Sequence, residues 1–231
     1  MYYPPHIALI LFMFVITGCQ TSQPVAHVEP SGFLGDYSKL QPGPPGGPAL
    51  LYRNPNADLK KYNKFMIDPV TIWYTDDNSL KDVPKQDLEQ AALLLQVKII
   101  QALKAEGFTR VQNPGPSVMR IRAAITEAQK SNVILDVFST ITPQGMILSR
   151  GKKLATGTNA FVGKAGMEGE LVDSETGERL GAMVDRRGGG KTLEGSLNSW
   201  DDVEKSIEFW AERFGYRICL ARGGKYCVSP E

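Results

Sequence analysis

The chain has 231 residues, and its 26 lysines and arginines nearly balance its 25 aspartates and glutamates. Proteins that bind nucleic acid usually have a strongly basic surface. The balanced charge argues against such a surface, so no nucleic acid partner is expected. The two histidines, His6 and His27, both precede the predicted domain, so we expect no histidine-dependent catalysis, no metal site and no cofactor.

The N-terminus has the pattern of a bacterial lipoprotein signal peptide. An apolar run at residues 7–15 has signal-peptide length and is too short to span a membrane. A lipobox follows at residues 16–19, with small side chains before the cleavage site and the thiol of Cys19 after it. We therefore predict a signal peptide at residues 1–18 and acylation of Cys19. An Asp directly after the cysteine would resemble the signal for retention in the inner membrane. Because Gln20 occupies this position, we predict that the protein is anchored on the periplasmic side of the outer membrane. The first six residues lack lysine and arginine, so an ordinary N-terminal anchor with a chance cysteine is the alternative.

After the lipobox the composition becomes polar. Residues 19–32 contain proline and lack apolar periodicity, so we predict a flexible tether before a single domain at residues 33–231. Residues 33–37 form a short apolar and aromatic patch that we expect to pack on the domain. Proline and glycine dominate residues 41–48, which excludes a helix or a central strand there.

Residues that favour β-structure predict five strands. They lie at residues 50–53, 64–74, 118–126, 161–172 and 179–187. Pro69 interrupts the second strand and indicates a bulge or a sheet edge. The last two strands are predicted to form a hairpin, with Gly177 able to take a positive φ in the connection.

Two segments have the apolar spacing of amphipathic helices. The first spans residues 84–106, with Pro84 in its first turn and Gly107 after its end. The second begins after Ser199, which we predict as its cap, and continues past Trp210. Together these elements predict an α+β (mixed α/β) fold, with a single β-sheet of about five strands and two long amphipathic helices packed on it.

Residues 131–148 form an apolar segment that is interrupted by proline and glycine and is too short to span a membrane. We interpret the segment as a buried connection; the alternative is an exposed surface that contacts an envelope protein partner. The sequence leaves the oligomeric state open.

Cys219 and Cys227 are close together near the C-terminus. An exported protein meets an oxidising compartment, and two glycines between the cysteines let the chain turn back, so we predict a disulfide. Two reduced thiols are the alternative.

A glycine-rich stretch at residues 188–192 resembles part of a phosphate-binding loop, but Asp185 stands where the first glycine of that motif belongs. The stretch adjoins three cations, Arg186, Arg187 and Lys191, which we name as a candidate site for an anion or a partner. The alternatives are solvated loop charges, or an internal ion pair between Asp185 and one of the arginines.

Six short segments of the chain together resemble a known family. They lie at residues 31–40, 52–59, 66–70, 153–158, 174–180 and 185–187. The family they resemble is a group of bacterial lipoproteins called domain of unknown function 3313. The resemblance implies a lipoprotein of the cell envelope and brings no activity, substrate or catalytic residue. We therefore expect a non-enzymatic binding or scaffold protein. The alternatives are a subunit of an envelope assembly or secretion complex and, less favoured, a carboxylate-dependent cell-wall hydrolase.

Overall fold

The structure, a computed structural model, describes residues 23–24, 28–76, 79–129, 164–188 and 200–229. Predictions for Cys19, Lys191, Ser199 and residues 131–148 lie outside these ranges. Within them the chain forms nine β-strands and two long α-helices. All five predicted strands are present among them, in whole or in part.

The strands form one mixed sheet. They are β1 Gln23–Pro24, β2 Gln41–Pro42, β3 Leu50–Arg53, β4 Lys64–Ile67, β5 Thr71–Ile72, β6 Thr109–Arg110, β7 Val118–Gln129, β8 Lys164–Asp173 and β9 Arg179–Gly188. Seven of them follow the order β2-β3-β9-β8-β7-β4-β6, while β1 pairs with β9 and β5 pairs with β7. β4 and β5 run parallel to β7, β6 runs parallel to β4, and the other pairs are antiparallel.

The sheet has more strands than the five that the sequence predicts. The predicted strand at residues 64–74 is divided into β4 and β5, because Pro69 lacks the amide hydrogen that continuous pairing with β7 needs. β1, β2 and β6 contain two residues each, which is too few to show an alternating pattern. The α+β class, the single sheet and the two helices are confirmed, and the number of strands was wrong.

The two helices pack against each other and against the sheet. α1, Lys85–Ala105, follows Pro84 and ends before Gly107, whose φ of 82° lies in the left-handed region. α2, Asp201–Ala221, follows Trp200 and so begins one residue later than predicted. The side chain of Trp200 makes no capping hydrogen bond.

Apolar side chains are buried on both faces of the sheet. On the helix face, alternate residues of β7 pack against α1 and α2 in a cluster that includes Ile121, Ala123, Ile125, Leu95, Ile99, Ile207 and Trp210. On the opposite face, Leu34 and Leu40 cover Ala182 and Val184 of β9. The expectation that residues 33–37 pack on the domain is therefore confirmed.

Part of the predicted flexible tether also lies against the sheet. β1 pairs with the end of β9, and the amide of Ser31 donates to Glu168 Oε1 at 2.6 Å. The Tyr37 hydroxyl donates to Glu168 Oε2 at 2.5 Å. Burial, together with this hydrogen bond, raises the pKa of Tyr37 to about 12, so the phenol keeps the proton that it donates. These two donors satisfy a carboxylate that is otherwise buried in the sheet.

The structure contains the predicted disulfide between Cys219, in the last turn of α2, and Cys227. Their Cα atoms are 5.7 Å apart. A Cβ atom on Gly224 would lie 2.5 Å from the Sγ of Cys219 and 2.9 Å from that of Cys227. Glycine is therefore needed at this position for the chain to pass the two sulfur atoms.

Reduction of the disulfide should lower the free energy of unfolding by about 2–3 kcal/mol, because the unfolded chain regains the entropy of a short loop. Urea unfolding with and without a reductant measures this change. Cys227→Ser should be equally destabilised and should not respond to the reductant. Equal stability of the oxidised and reduced proteins would contradict the prediction.

The turn between β8 and β9 is organised by the carboxylate of Asp173. It accepts hydrogen bonds from the amides of Glu175 and Thr176 at 3.0 and 2.9 Å, and from the Tyr62 hydroxyl at 2.7 Å. Burial by itself would raise the pKa of Asp173, but these donors outweigh it and lower the pKa from 3.8 to about 2.

Because the folded state has the lower pKa, Asp173 stabilises the fold above about pH 4, and this contribution is lost as the pH falls towards 2. We expect the free energy of unfolding of Asp173→Asn to depend less on pH in that interval than that of the wild-type protein. Urea unfolding at pH 2–6 measures both curves. Parallel curves would show that Asp173 does not contribute to the acid sensitivity.

Candidate functional site

The predicted cluster of Arg186, Arg187 and Lys191 does not form one exposed face. Arg187 is only 1% exposed and points towards α2, whereas Arg186 points to the opposite side of the sheet and pairs with Glu127. Successive side chains of a strand alternate between the two faces, so the two arginines cannot act on one external anion. Lys191 lies outside the described residues. Arg187 is therefore not available to an external anion or partner, and the alternative of an internal pair with Asp185 is what the structure shows.

Asp185 is the acceptor around which the buried polar groups are arranged. Its Oδ2 accepts from Arg187 Nε and from Trp210 Nε1, both at 2.8 Å. Its Oδ1 accepts from the amide of Ala49 at 3.1 Å. The guanidinium of Arg187 also lies 3.5 Å from the ring centroid of Phe209 and donates to the backbone. Each oxygen of this buried carboxylate is therefore occupied.

Two further arginines lie beside this pair, one turn apart on α2. Arg213 Nη2 donates to the carbonyl of Gly46 at 2.8 Å, but its buried Nε has no hydrogen-bond partner. Its guanidinium is 5.2 Å from the ring of Phe209, the same ring that Arg187 covers. Arg217 makes no hydrogen bond and no ion pair with the residues that the structure describes.

Four arginines lie near the single carboxylate of Asp185, and only Arg187 forms an ion pair with it. The others are Arg53, Arg213 and Arg217. Burial, followed by the like charges of Arg53 and Arg213, lowers the pKa of Arg217 to about 10. The group still carries its charge at neutral pH. Since that charge is partly desolvated and forms no ion pair with a described residue, a bound anion would be favoured there.

The unpaired arginines border a cavity of about 220 Å³ between the sheet and α2. Arg53 is exposed, and Arg213 and Arg217 are partly exposed, so the cavity reaches solvent beside them. Its inner walls are apolar and include Leu51, Leu95, Ile99, Met167, Met183 and Phe214. We call this site the arginine-lined cavity; it combines a cationic opening with an apolar interior.

The proline- and glycine-rich segment at residues 41–48 forms one side of this opening. The carbonyls of Gly46 and Gly47 accept hydrogen bonds from Arg213 and Arg187, at 2.8 and 3.1 Å. A Cβ atom on Gly47 would lie 2.6 Å from Arg217 Nη2. The absence of side chains here lets the backbone approach the arginines closely.

Our sequence analysis missed Arg213 and Arg217, although a signal was present. Their spacing of four residues places both on one side of a helix. That side adjoins the apolar stripe, whereas the acidic residues Glu204, Glu208 and Glu212 lie on the exposed side. Cations next to an apolar stripe indicate a site at the edge of the core, but spacing alone does not reveal the cavity.

A family described as "Protein of unknown function (DUF3313)" matches residues 29–214 of the chain. The chain belongs to this family. The match includes both faces of the sheet and most of α2, and it confirms the resemblance seen in the sequence.

Comparison of the DUF3313 chain with solved structures gives only distant likenesses. A PelC dodecamer from Paraburkholderia phytofirmans is 11% identical, with a TM-score of 0.39 over 76% of this chain and 96% of that chain. A protein described as a lipoprotein from Caulobacter crescentus is 11% identical, with a TM-score of 0.35 over 73% of this chain and 95% of that chain. At these values the likenesses carry no argument about function. No curated protein matches the chain.

The other face of the DUF3313 sheet has an open polar cleft of about 1070 Å³. Its three arginines are paired with carboxylates: Arg120 binds Asp68 through Nε and Nη2, at 2.7–3.1 Å. Glu170 accepts from Arg122 at 2.5 Å and from Arg179 at 2.7 Å. This polar cleft has less unpaired charge to offer an anion than the arginine-lined cavity has.

In the part of the chain that the structure describes, no helix could span a membrane and no cluster of residues could hold a metal ion.

Arg187 and Arg217 should differ in their effect on stability. Arg187→Met leaves Asp185 without its charged partner and should lower the free energy of unfolding by about 3–5 kcal/mol. Arg217→Met removes a partly buried charge that has no ion-pair partner among the described residues, and it should raise the free energy of unfolding by about 1 kcal/mol. Chemical unfolding measures both, and equal destabilisation by the two substitutions would contradict the distinction.

Proposed function

We propose that this chain is a lipid-anchored, non-enzymatic binding protein of the bacterial cell envelope, and that it binds an anion at the arginine-lined cavity. One observation carries the proposal: Arg53, Arg213 and Arg217 border an apolar cavity, while the nearby carboxylate of Asp185 is occupied by other donors. This excess of positive charge, which is partly desolvated at Arg213 and Arg217, destabilises the protein. Charged groups whose pKa values are perturbed by burial and by a specific set of neighbours cluster at functional sites.

The lipid anchor is supported by the lipobox, and only a few residues of the chain separate Cys19 from β1. Pro24 pairs with Arg187 in the register of β1 and β9. The four residue steps from Cys19 to Gln23 span at most about 14 Å when extended. Acylation of Cys19 would therefore hold the end of β9, and with it the arginine-lined cavity, close to the membrane surface.

A binding role fits the polar cleft better than hydrolysis does. Glycosidic hydrolysis needs two carboxyl groups that face the substrate. Two of the four carboxylates that line the polar cleft, those of Asp68 and Glu170, are occupied by arginine donors. These carboxylates are held by the protein, so we propose a non-enzymatic role.

The second candidate is a subunit of an envelope assembly. Leu93 and Val97 of α1 lie one turn apart and are 62% and 39% exposed, which is unusual for large apolar side chains on a helix whose other face is in the core. The other surface proposed for a partner, residues 131–148, lies outside the described residues.

Cys19→Ser should abolish acylation, because the thiol that receives the lipid is lost. Metabolic labelling with a palmitate analogue should mark the wild-type protein alone, and density fractionation of envelopes should place it with the outer membrane. Equal labelling of both proteins would refute the anchor, whereas labelled protein in the inner membrane would refute the outer-membrane assignment.

Anion binding can be tested on residues 20–231, which contain every described strand and helix and both core clusters. Inorganic phosphate, added at constant ionic strength, should raise the melting temperature because it binds only the folded state. The double variant Arg213→Gln, Arg217→Gln should lose this response. Arg120→Gln, in the polar cleft, is the matched control and should retain it. An equal response in the double variant would refute an anion site at the cavity.

A further inference from the structure

The interior of the arginine-lined cavity suits an apolar group and not an anion alone. Its two buried carboxylates are already occupied, since Asp185 accepts three hydrogen bonds and Glu170 is paired with Arg122 and Arg179, and most of the remaining lining is aliphatic or aromatic. A small anion would neutralise the arginines at the opening but would leave this interior empty. A ligand that fills the site therefore needs an apolar part in addition to its negative charge.

The side of the cavity formed by β8 has a glycine at a position where a side chain would fit. Gly169 lies in the middle of β8, and a Cβ atom on it would meet its nearest neighbours only at 3.5 Å or more, at ordinary contact distance. A glycine in a strand is less stable than alanine and often marks the close approach of a ligand. The missing side chain at Gly169 keeps space open between β8 and α2.

The volume sets the size of the apolar part. An apolar cavity of about 150 Å³ holds a benzene ring, so about 220 Å³ has room for roughly eight carbon atoms of a chain. One acyl chain could enter to that depth, and the rest of a longer chain would extend through the opening past Arg213 and Arg217. A two-chain lipid would not fit within this volume.

The position of the opening favours a ligand from the membrane. Arg187, whose backbone pairs with Pro24 of β1, shares the ring of Phe209 with Arg213 at the opening. The chain leads from β1 to the proposed lipid on Cys19 within a few residues. The cationic opening is therefore on the side of the domain from which the membrane anchor leaves.

We propose that the ligand of the arginine-lined cavity is a single-chain anionic amphiphile, a fatty acid or a lysophospholipid-like phosphate. Its acyl chain occupies the apolar interior above Gly169, and its head group is bound by Arg213, Arg217 and Arg53. This inference rests on the proposed function, because it specifies the anion that the site binds.

Calorimetric titration of residues 20–231 tests the ligand class, with all amphiphiles kept below their critical micelle concentrations. Decanoate and decyl phosphate should bind, and the tighter of the two identifies the head group. Decanol should bind at least about tenfold more weakly, since each lost charged hydrogen bond is worth about 1.5–3 kcal/mol, and decyltrimethylammonium should not bind. From hexanoate to octanoate the affinity should rise about fourfold per methylene, and it should level off beyond about eight carbons.

Substitutions separate the contributions of the chain and the head group. Arg217→Gln should weaken decanoate binding at least about tenfold, and Arg120→Gln should leave it unchanged. Gly169→Leu should fill the cavity, abolish the dependence on chain length and retain the response to inorganic phosphate. If Gly169→Leu lowers the melting temperature, Ala123→Leu fills the same space from β7 and should give the same result.

Phosphate binding with no dependence on chain length would overturn this inference and leave the anion site intact. Equal affinity for decanoate and decyltrimethylammonium would show an unselective apolar cavity and would also overturn it. If the wild-type protein neither responds to inorganic phosphate nor binds any of the amphiphiles, the proposed function itself is refuted.

Discussion

The buried carboxylate of Asp185 connects three parts of the molecule that are distant in sequence. It lies on the interior strand β9 and accepts hydrogen bonds from Trp210 of α2, from the amide of Ala49 next to β3, and from Arg187. A buried charge is stable only when donors surround it, so the positions of α2, β3 and the end of β9 are fixed relative to one another. The arginine-lined cavity exists because this arrangement holds α2 above β8 and β9 while the glycine at position 169 leaves the space between them open.

The same carboxylate explains why the remaining arginines lack partners. Its oxygens are occupied, so Arg213 has only the carbonyl of Gly46 and Arg217 has no partner among the described residues. Glycines in the segment at residues 41–48 let the backbone approach these cations. Carbonyl dipoles solvate a guanidinium in part, but they do not cancel its charge. The site is thus built with a positive charge that an external anion can neutralise.

Much of the fold could be predicted from the sequence, because the helices and long strands repeat apolar residues over many positions. The hairpin of β8 and β9, with Gly177 at a φ of 72°, and the division near Pro69 follow from local chemistry. The two-residue strands could not be predicted, since their pairing depends on neighbours that are remote in sequence. The site was only partly predictable for the same reason. Arg187 was named as a candidate site residue, but the face of the sheet to which its side chain points depends on the register of β9. Arg187 and Trp210 both donate to Asp185, which is a tertiary contact that the sequence does not reveal.

The two faces of the sheet show how similar residues acquire different roles. On the face of the polar cleft, each arginine is opposite a carboxylate at hydrogen-bonding distance, as with Arg120 and Asp68, so charge is balanced within the protein and the side chains stabilise strand positions. On the helix face, α2 brings two arginines to the edge of an apolar space, while Glu204, Glu208 and Glu212 of the same helix are exposed to solvent. An arginine that serves only the fold gains nothing from such a position, because the same space filled with an apolar side chain would be more stable. The unbalanced charge next to unfilled apolar volume is therefore the feature of this protein that its own fold does not explain, and a ligand with both a negative charge and an apolar chain accounts for both parts of it.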